Sequence, residues 1–120
     1  MLGSKTMIRF FLAVLITIWI APVYADVNLE EYEAVKGTDS FKLYISGVGA
    51  GYYWANIHLA IDRKLSPIYC QPGKVGLNAN NYLQILDNYL SQPETKASTS
   101  PTSPLGLILL FALRDTFPCK

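Results

Sequence analysis

The first 25 residues have the three parts of a secretory signal peptide, which restricts the folding unit to the rest of the chain. Lys5 and Arg9 supply a basic start, and residues 10–21 form an apolar run. This run is shorter than the roughly 18 to 25 apolar residues that cross a bilayer. The triplet Val23-Tyr24-Ala25 ends in the kind of small residue that signal peptidase requires. We predict cleavage before Asp26, export to the periplasm and no membrane insertion afterwards.

A cleaved chain keeps 95 of its 120 residues, a size at which a single domain has a small core. The leader removes two basic residues, so eight basic and nine acidic residues remain and the net charge becomes −1. A nearly neutral chain does not favour nucleic acid or an anionic membrane surface as a partner. We predict one domain over residues 26–120.

Two cysteines occur, Cys70 and Cys119, and both lie in the exported part. Exported chains with two cysteines usually join them in a disulfide. A zinc site is less favoured, because neither cysteine belongs to a CxxC pair and the chain has one histidine. We therefore predict a disulfide, with no metal and no cofactor.

Cys70, His58 and Asp62 are the candidates for a hydrolase centre, as nucleophile, base and orienting acid. Cys70 precedes Gln-Pro-Gly, which is typical of a turn, whereas activated thiols usually lie at a helix N-terminus or beside a cation. His58 and Asp62 are four residues apart, as in a surface pair on a helix. We predict that the protein is not an enzyme.

Two helices are predicted in the second half of the exported chain. Apolar side chains recur at helical spacing in residues 82–90, with Asn78 or Asn80 available as N-cap. Residues 105–117 are apolar almost all round, and Ser103-Pro104 suits an N-cap and a first helical position. We predict that this second segment is the central buried helix.

The segment between these helices, residues 92–104, is rich in Ser, Thr and Pro and predicts a flexible loop. Long irregular segments on a stapled scaffold often carry binding function, although a disordered connector has the same composition. A second candidate patch lies in the first half of the chain, where core or helix-surface positions are the alternative. The candidate partner contacts are Gln92, Glu94 and Lys96 in the loop, and Trp54 and Asn56, with His58, in the second patch.

The stretch SGVGAGYYWAN, residues 46–56, has glycine at every second position before a cluster of aromatics. Its surroundings alternate as in two strands joined by a glycine turn, but they also fit a helix capped at residue 39 or 40. In a helix, Gly47, Gly51 and Ala55 share a face on which another helix, internal or from a second subunit, could pack closely. The glycine spacing does not match a phosphate-binding loop.

Four segments carry a family resemblance: YISGVGAGYYWAN at residues 44–56, IYCQPGK at 68–74, NYLQILDNYL at 81–90, and LGLILLFALRDTFPCK at 105–120. In this order and at similar spacing they resemble the Rap/Tai family of type VI secretion amidase immunity proteins. Members of that family are small exported helical proteins with a Tyr-x-x-Gly helix, a Cys-x-Pro turn, a Tyr-Leu helix and a terminal Phe-Pro-Cys.

The resemblance implies an all-α fold, a small bundle of about four helices stapled by one disulfide. The glycine stretch then lies within a long helix, and Cys70 and Cys119 are the disulfide pair. Many family members have a further cysteine shortly before this helix, where the present chain has Phe41.

The implied function is that of a periplasmic immunity protein, which binds a secreted peptidoglycan amidase and occludes its cysteine-histidine cleft. Two other classes are compatible with the sequence. One is an acid-activated periplasmic chaperone of the HdeA type, which loosens when its carboxylates are protonated. The other is an accessory envelope protein without an effector partner. A monomer and a homodimer are both compatible with the sequence.

Overall fold

A computed structural model describes residues 3–5 and 26–120, and the second range folds into five helices without a strand. The helices are α1 (Leu29–Val35), α2 (Asp39–Ile61), α3 (Ala79–Leu90), α4 (Pro93–Ser98) and α5 (Leu105–Thr116). A disulfide joins Cys70 to Cys119. The predicted all-α bundle and its disulfide are therefore confirmed. Most of the predicted signal peptide, residues 1–25, lies outside the described residues.

Helix α2 contains the glycine stretch and excludes the two-strand alternative. It begins after Thr38, whose hydroxyl accepts a hydrogen bond from the Phe41 backbone N–H at 3.2 Å. The cap thus lies one residue before the predicted positions. At 23 residues and 1.5 Å per residue, α2 is about 34 Å long and is the longest helix of the described residues.

Helices α2, α3 and α5 enclose one core, and α5 packs on both of the others. Of the two N-caps predicted for α3, Asn78 is the one observed, and it forms a capping box in which Asn78 and Asn81 each accept from the other's backbone N–H. One face of α5 is fully buried, but Leu107 and Phe111 on another face are 45% and 37% exposed. The central position of α5 is thus confirmed for one side of the helix only. The most deeply buried side chains are those of Tyr32, Ile45, Tyr69, Leu86, Leu105, Leu109 and Leu113.

Gly49 is the glycine of α2 that contacts a neighbouring helix. A methyl group at this position would lie within 2.6 Å of three ring carbons of Tyr82 on α3. Gly47 and Gly51 have no such neighbour and are exposed, as is Ala55. The predicted internal packing face is therefore wrong. Two residues correspond to about 200° around a helix, so the predicted face points away from α3.

The predicted loop at residues 92–104 contains helix α4, with a buried Thr95, so the prediction is wrong for residues 93–98, whereas residues 99–104 are irregular as predicted. The Leu29 N–H donates to the Ser103 carbonyl at 3.0 Å, and a second bond of equal length joins α1 to residue 101. Composition misled here because Pro93 occupies the first turn of α4, where proline is tolerated. Pro104 occupies the N-cap position of α5 without a side-chain cap hydrogen bond, so the predicted cap at Ser103 is wrong.

Burial raises the pKa of several tyrosine hydroxyls in this small core. Burial raises the pKa of Tyr69 to about 12, and electrostatic interaction with Tyr82 and Tyr53 raises it by smaller amounts. Burial and a hydrogen bond to Asp26 raise the pKa of Tyr44 to about 12. The affected residues within 26–120 are Tyr32, Tyr44, Tyr52, Tyr69 and Tyr82.

We expect the free energy of unfolding to fall as the pH rises from 10 to about 12. Unfolded tyrosines lose their protons near pH 10, while Tyr69 and Tyr44 in the fold keep theirs until about 12. The neutral hydroxyl therefore contributes fully below pH 10 and loses its contribution through this window. For the buried Tyr69 the loss is about 2 to 3 kcal/mol. Urea unfolding across this pH range measures it, and Tyr69→Phe should flatten the curve. An unchanged slope in that variant would contradict the assignment.

Candidate functional site

Asn56, one of the predicted partner contacts, is a buried structural residue. Its carboxamide accepts a hydrogen bond from the Ile68 N–H and donates one to the Tyr69 carbonyl, both at 2.8 Å. The side chain is 8% exposed. The partner-contact prediction for Asn56 is wrong, because its amide is already engaged in holding residues 68–69 against α2. Trp54, two residues earlier, is 65% exposed.

The three predicted contacts of residues 92–104 lie on or beside α4, which packs on α3. Gln92 is half-buried and donates from Nε2 to Asp115 at 3.1 Å. Glu94 and Lys96 are exposed. Since Trp54 projects from α2, the two predicted patches belong to different parts of the bundle.

The residues considered for catalysis do not form a nucleophile with its base. Cys70 is bonded to Cys119, so its sulfur is not a thiol. His58 Nδ1 lies 2.8 Å from an Asp62 carboxylate oxygen, and both side chains are exposed. The predicted surface pair at four-residue spacing is confirmed.

The segment of residues 62–77 runs beside the C-terminal half of α2 and is fixed at several points. The disulfide places the Cα atoms of Cys70 and Cys119 5.0 Å apart. The Cys70 N–H donates to the Phe117 carbonyl at 2.8 Å, which joins the same segment to the end of α5. Together with the hydrogen bonds from Asn56 of α2 to residues 68 and 69, these contacts hold the segment in place against the helix.

Two cavities of about 290 and 300 Å³ lie between α2 and the segment of residues 62–77. Both are lined by Tyr53 and Gln71, so they are neighbours, and we call the two together the α2 groove. On α2 the groove extends from Ala50 to Ile61, about 16 Å along the helix axis. The first cavity is mainly apolar, with Ile57, Ala60, Ile61 and Pro67 in its lining.

Two buried polar atoms of groove residues lack a hydrogen-bond partner within the described chain. They are the hydroxyl of Tyr69, whose side chain is 2% exposed, and Oε1 of Gln71. Gln71 is otherwise fixed, because its Nε2 donates to the Val75 carbonyl at 2.5 Å. Buried polar groups in proteins are nearly always paired. Both atoms are enclosed by protein, so neither is presented at the groove surface.

The solvent-facing side of α2 lies next to this groove and carries exposed apolar side chains. Leu43, Trp54 and Ile61 are 77%, 65% and 69% exposed. The sequence between Lys42 and His58 contains no charged residue. The Trp54 ring contacts the Tyr53 ring edge-on, with centroids 5.4 Å apart. The outer face of α2 and the groove are thereby joined through adjacent aromatic residues.

The groove is the part of the site that the sequence did not reveal. Its residues come from α2 and from the IYCQPGK segment, which was singled out for its cysteine and turn alone. A polar Asn56 within an apolar helical stretch was the available signal, since a buried amide implies a backbone segment to bind.

Comparisons with known proteins identify no relative: no family model matches the chain, and neither a curated protein nor a solved structure does. None of the helices in the described ranges has the length and apolar character needed to span a bilayer. The same ranges contain no group of three or more His, Cys, Asp or Glu side chains arranged to hold a metal ion.

Proposed function

We propose that the protein is a periplasmic immunity protein that binds a secreted peptidoglycan amidase and inhibits it. The observation that carries the proposal is the uncharged outer face of α2, on which Leu43, Trp54 and Ile61 are mostly exposed. Grouped exposed apolar side chains mark interaction sites in small proteins. The resemblance of four ordered segments to the Rap/Tai family supplies the class of partner.

Inhibition by occlusion needs no chemistry from this chain, only a rigid surface that covers the cleft of the amidase. A prefolded surface loses little conformational entropy on binding, which favours affinity. The disulfide and the Asn56 contacts hold the α2 side of the domain in this way. An exposed tryptophan near the centre of such a face is a typical binding hot spot.

The test is capture from periplasmic and secreted extracts by the immobilised, oxidised chain Asp26–Lys120, at neutral and at acid pH. We expect one partner at neutral pH, which hydrolyses purified peptidoglycan and loses that activity at an equimolar ratio of the two proteins. Capture of many unrelated clients only in acid would overturn the proposal in favour of a chaperone. Capture of no protein at either pH would overturn it in favour of an accessory envelope protein.

Trp54→Ala is expected to weaken amidase binding by about 2 kcal/mol, roughly 30-fold in Kd. The side chain is 65% exposed, so its removal should leave the fold intact. Phe111→Ala is the matched control, since Phe111 is an exposed aromatic on α5, outside the α2 face. Isothermal titration calorimetry measures both variants. Equal affinities for the two would contradict a binding role for the α2 face.

A further inference from the structure

We propose that the domain docks on the surface of an anionic phospholipid bilayer through residues 61–68, which we call the α2 tip. These residues end α2 and form the turn that follows it. The proposal goes beyond the immunity function and does not rest on it, because neither an amidase nor the exposed Trp54 enters the argument.

Hydrogen bonds to α2 hold the α2 tip in one compact turn. The Leu65 N–H donates to the Leu59 carbonyl at 2.9 Å. The Ile68 N–H donates to the Asn56 carboxamide oxygen at 2.8 Å. Both the middle and the end of the turn are therefore fixed on the last turns of α2, so its exposed side chains lie close together at one end of the helix.

The α2 tip exposes three large aliphatic side chains. Leu65 and Ile68 are 54% and 42% exposed, and Ile61 is exposed as well. Apolar side chains that are grouped at the surface of a small protein mark an interaction site. Within residues 61–68 they are interleaved with Arg63 and Lys64, which are also exposed.

Cations predominate at this end of the domain. The disulfide joins residues 118–120 to residues 62–77, and the two ranges together contain four cationic side chains, Arg63, Lys64, Lys74 and Lys120. None of the four forms an ion pair within the described part of the chain. Asp62 is the one acidic side chain in these ranges, and its carboxylate lies 2.8 Å from His58. The occupant that complements this end is therefore anionic.

Acidic side chains are concentrated at the other end of α2. Residues 26–42, which form α1 and the start of α2, contain five acidic and two basic residues. The length of α2, about 34 Å, separates them from the α2 tip. The net charge of −1 does not describe this distribution. An anionic surface attracts the α2 tip and repels the α1 end, which orients the domain.

The residue types favour a bilayer over an acidic protein as the anionic partner. Protein interfaces are enriched in aromatic residues and depleted of lysine, whereas the exposed residues of the α2 tip include no aromatic side chain. Attachment to a membrane surface combines the burial of apolar side chains with the attraction of Lys and Arg to anionic lipids. The α2 tip supplies both.

The test is co-sedimentation of the oxidised chain Asp26–Lys120 with vesicles of equal parts phosphatidylglycerol and phosphatidylcholine. We expect binding that weakens with added salt, which screens exposed charges, and that is lost on pure phosphatidylcholine. Arg63→Gln combined with Lys64→Gln should weaken binding about 30-fold, since each cation near an anionic bilayer contributes about fivefold. Lys42→Gln combined with Lys96→Gln changes the net charge equally but away from the α2 tip, and should bind as the wild type does.

Leu65→Ser tests the apolar contribution and should weaken vesicle binding about tenfold. Leu43→Ser is the matched control, since it makes the same change at an exposed position near the start of α2 and should leave vesicle binding unchanged. Lys64 has a positive φ of 51°, so Lys64→Gly should raise the melting temperature while weakening binding. Opposite effects on stability and binding would show that the lost affinity does not come from unfolding.

Absence of sedimentation with phosphatidylglycerol vesicles, or equal binding by the tip variants and their controls, would overturn the proposal. Equal binding to both kinds of vesicle would also overturn it, because the charges would then contribute nothing. Binding to soluble poly-glutamate that is as tight as binding to vesicles, and that Leu65→Ser leaves unchanged, would overturn the bilayer in favour of an acidic protein. Each of these results leaves the immunity proposal standing, and failure to capture an amidase leaves the vesicle result unchanged.

Discussion

Replacing both Cys70 and Cys119 with alanine is expected to lower the free energy of unfolding by about 4 kcal/mol. The crosslink joins residues separated by 49 positions, and closing a loop of this length restricts the unfolded chain by that amount in the entropic description. A small domain has a total stability of about 5 to 15 kcal/mol, so the variant would be close to unfolding. Urea denaturation followed by Trp54 fluorescence measures the change.

The loss should be accompanied by faster amide exchange in residues 62–77 than in α3 or α5. Without the crosslink, the segment is held by Asn56 and by the hydrogen bond from residue 70 to Phe117. Reduced wild-type protein is the control and should lose as much stability as the double variant. A loss below about 1 kcal/mol would mean that the unfolded chain is already restricted without the bond.

Gly49→Ala is expected to destabilise the fold by about 1 to 3 kcal/mol, the usual range for overpacking a core. The added methyl group would overlap the Tyr82 ring, which lies on α3 in the centre of the domain. Gly47→Ala and Gly51→Ala are matched controls on the same helix, where the methyl group meets open space. Each should gain up to about 1 kcal/mol, because alanine has the higher helix propensity. Thermal and urea unfolding of the three variants give the comparison.

Opposite signs within one helix make this prediction specific. If Gly49→Ala were also stabilising, the Tyr82 ring would have to move aside at little cost. Combining Gly49→Ala with Tyr82→Leu tests the contact directly, because residues that touch show a coupling energy of about 0.5 to 3 kcal/mol. Simple additivity of the two changes would contradict close packing at this point.

Local signals in the sequence identified much of the fold. Three predicted features depend only on neighbouring residues, and the structure has all of them: Asn78 as a helix cap, the apolar periodicity of α3 and the length of α5. The pairing of Cys70 with Cys119 followed from their number and the export signal. The conformation of the glycine stretch could not be predicted in this way, because strand and helix periodicities both fit it. The family resemblance then favoured the helix.

The orientation of α2 could not be predicted from its own residues. Spacing alone does not show which of Gly47, Gly49 and Gly51 packs against another helix. The position at which Tyr82 on α3 meets α2 selects Gly49, and that contact joins residues 33 positions apart in the printed sequence. Composition likewise gave a loop for residues 92–104, because it does not register the backbone bonds with α1.

The sequence by itself determined the elements that short-range physics controls: the helical class, the caps, the covalent crosslink and the absence of charge on the middle of α2. Only the tertiary structure decided which side of α2 is buried, which leaves Trp54 exposed and Asn56 enclosed. It also created the α2 groove, where residues 67–77 lie beside the C-terminal half of α2. The physical reason is that burial and hydrogen bonding between distant segments depend on how whole helices pack, which no local pattern specifies.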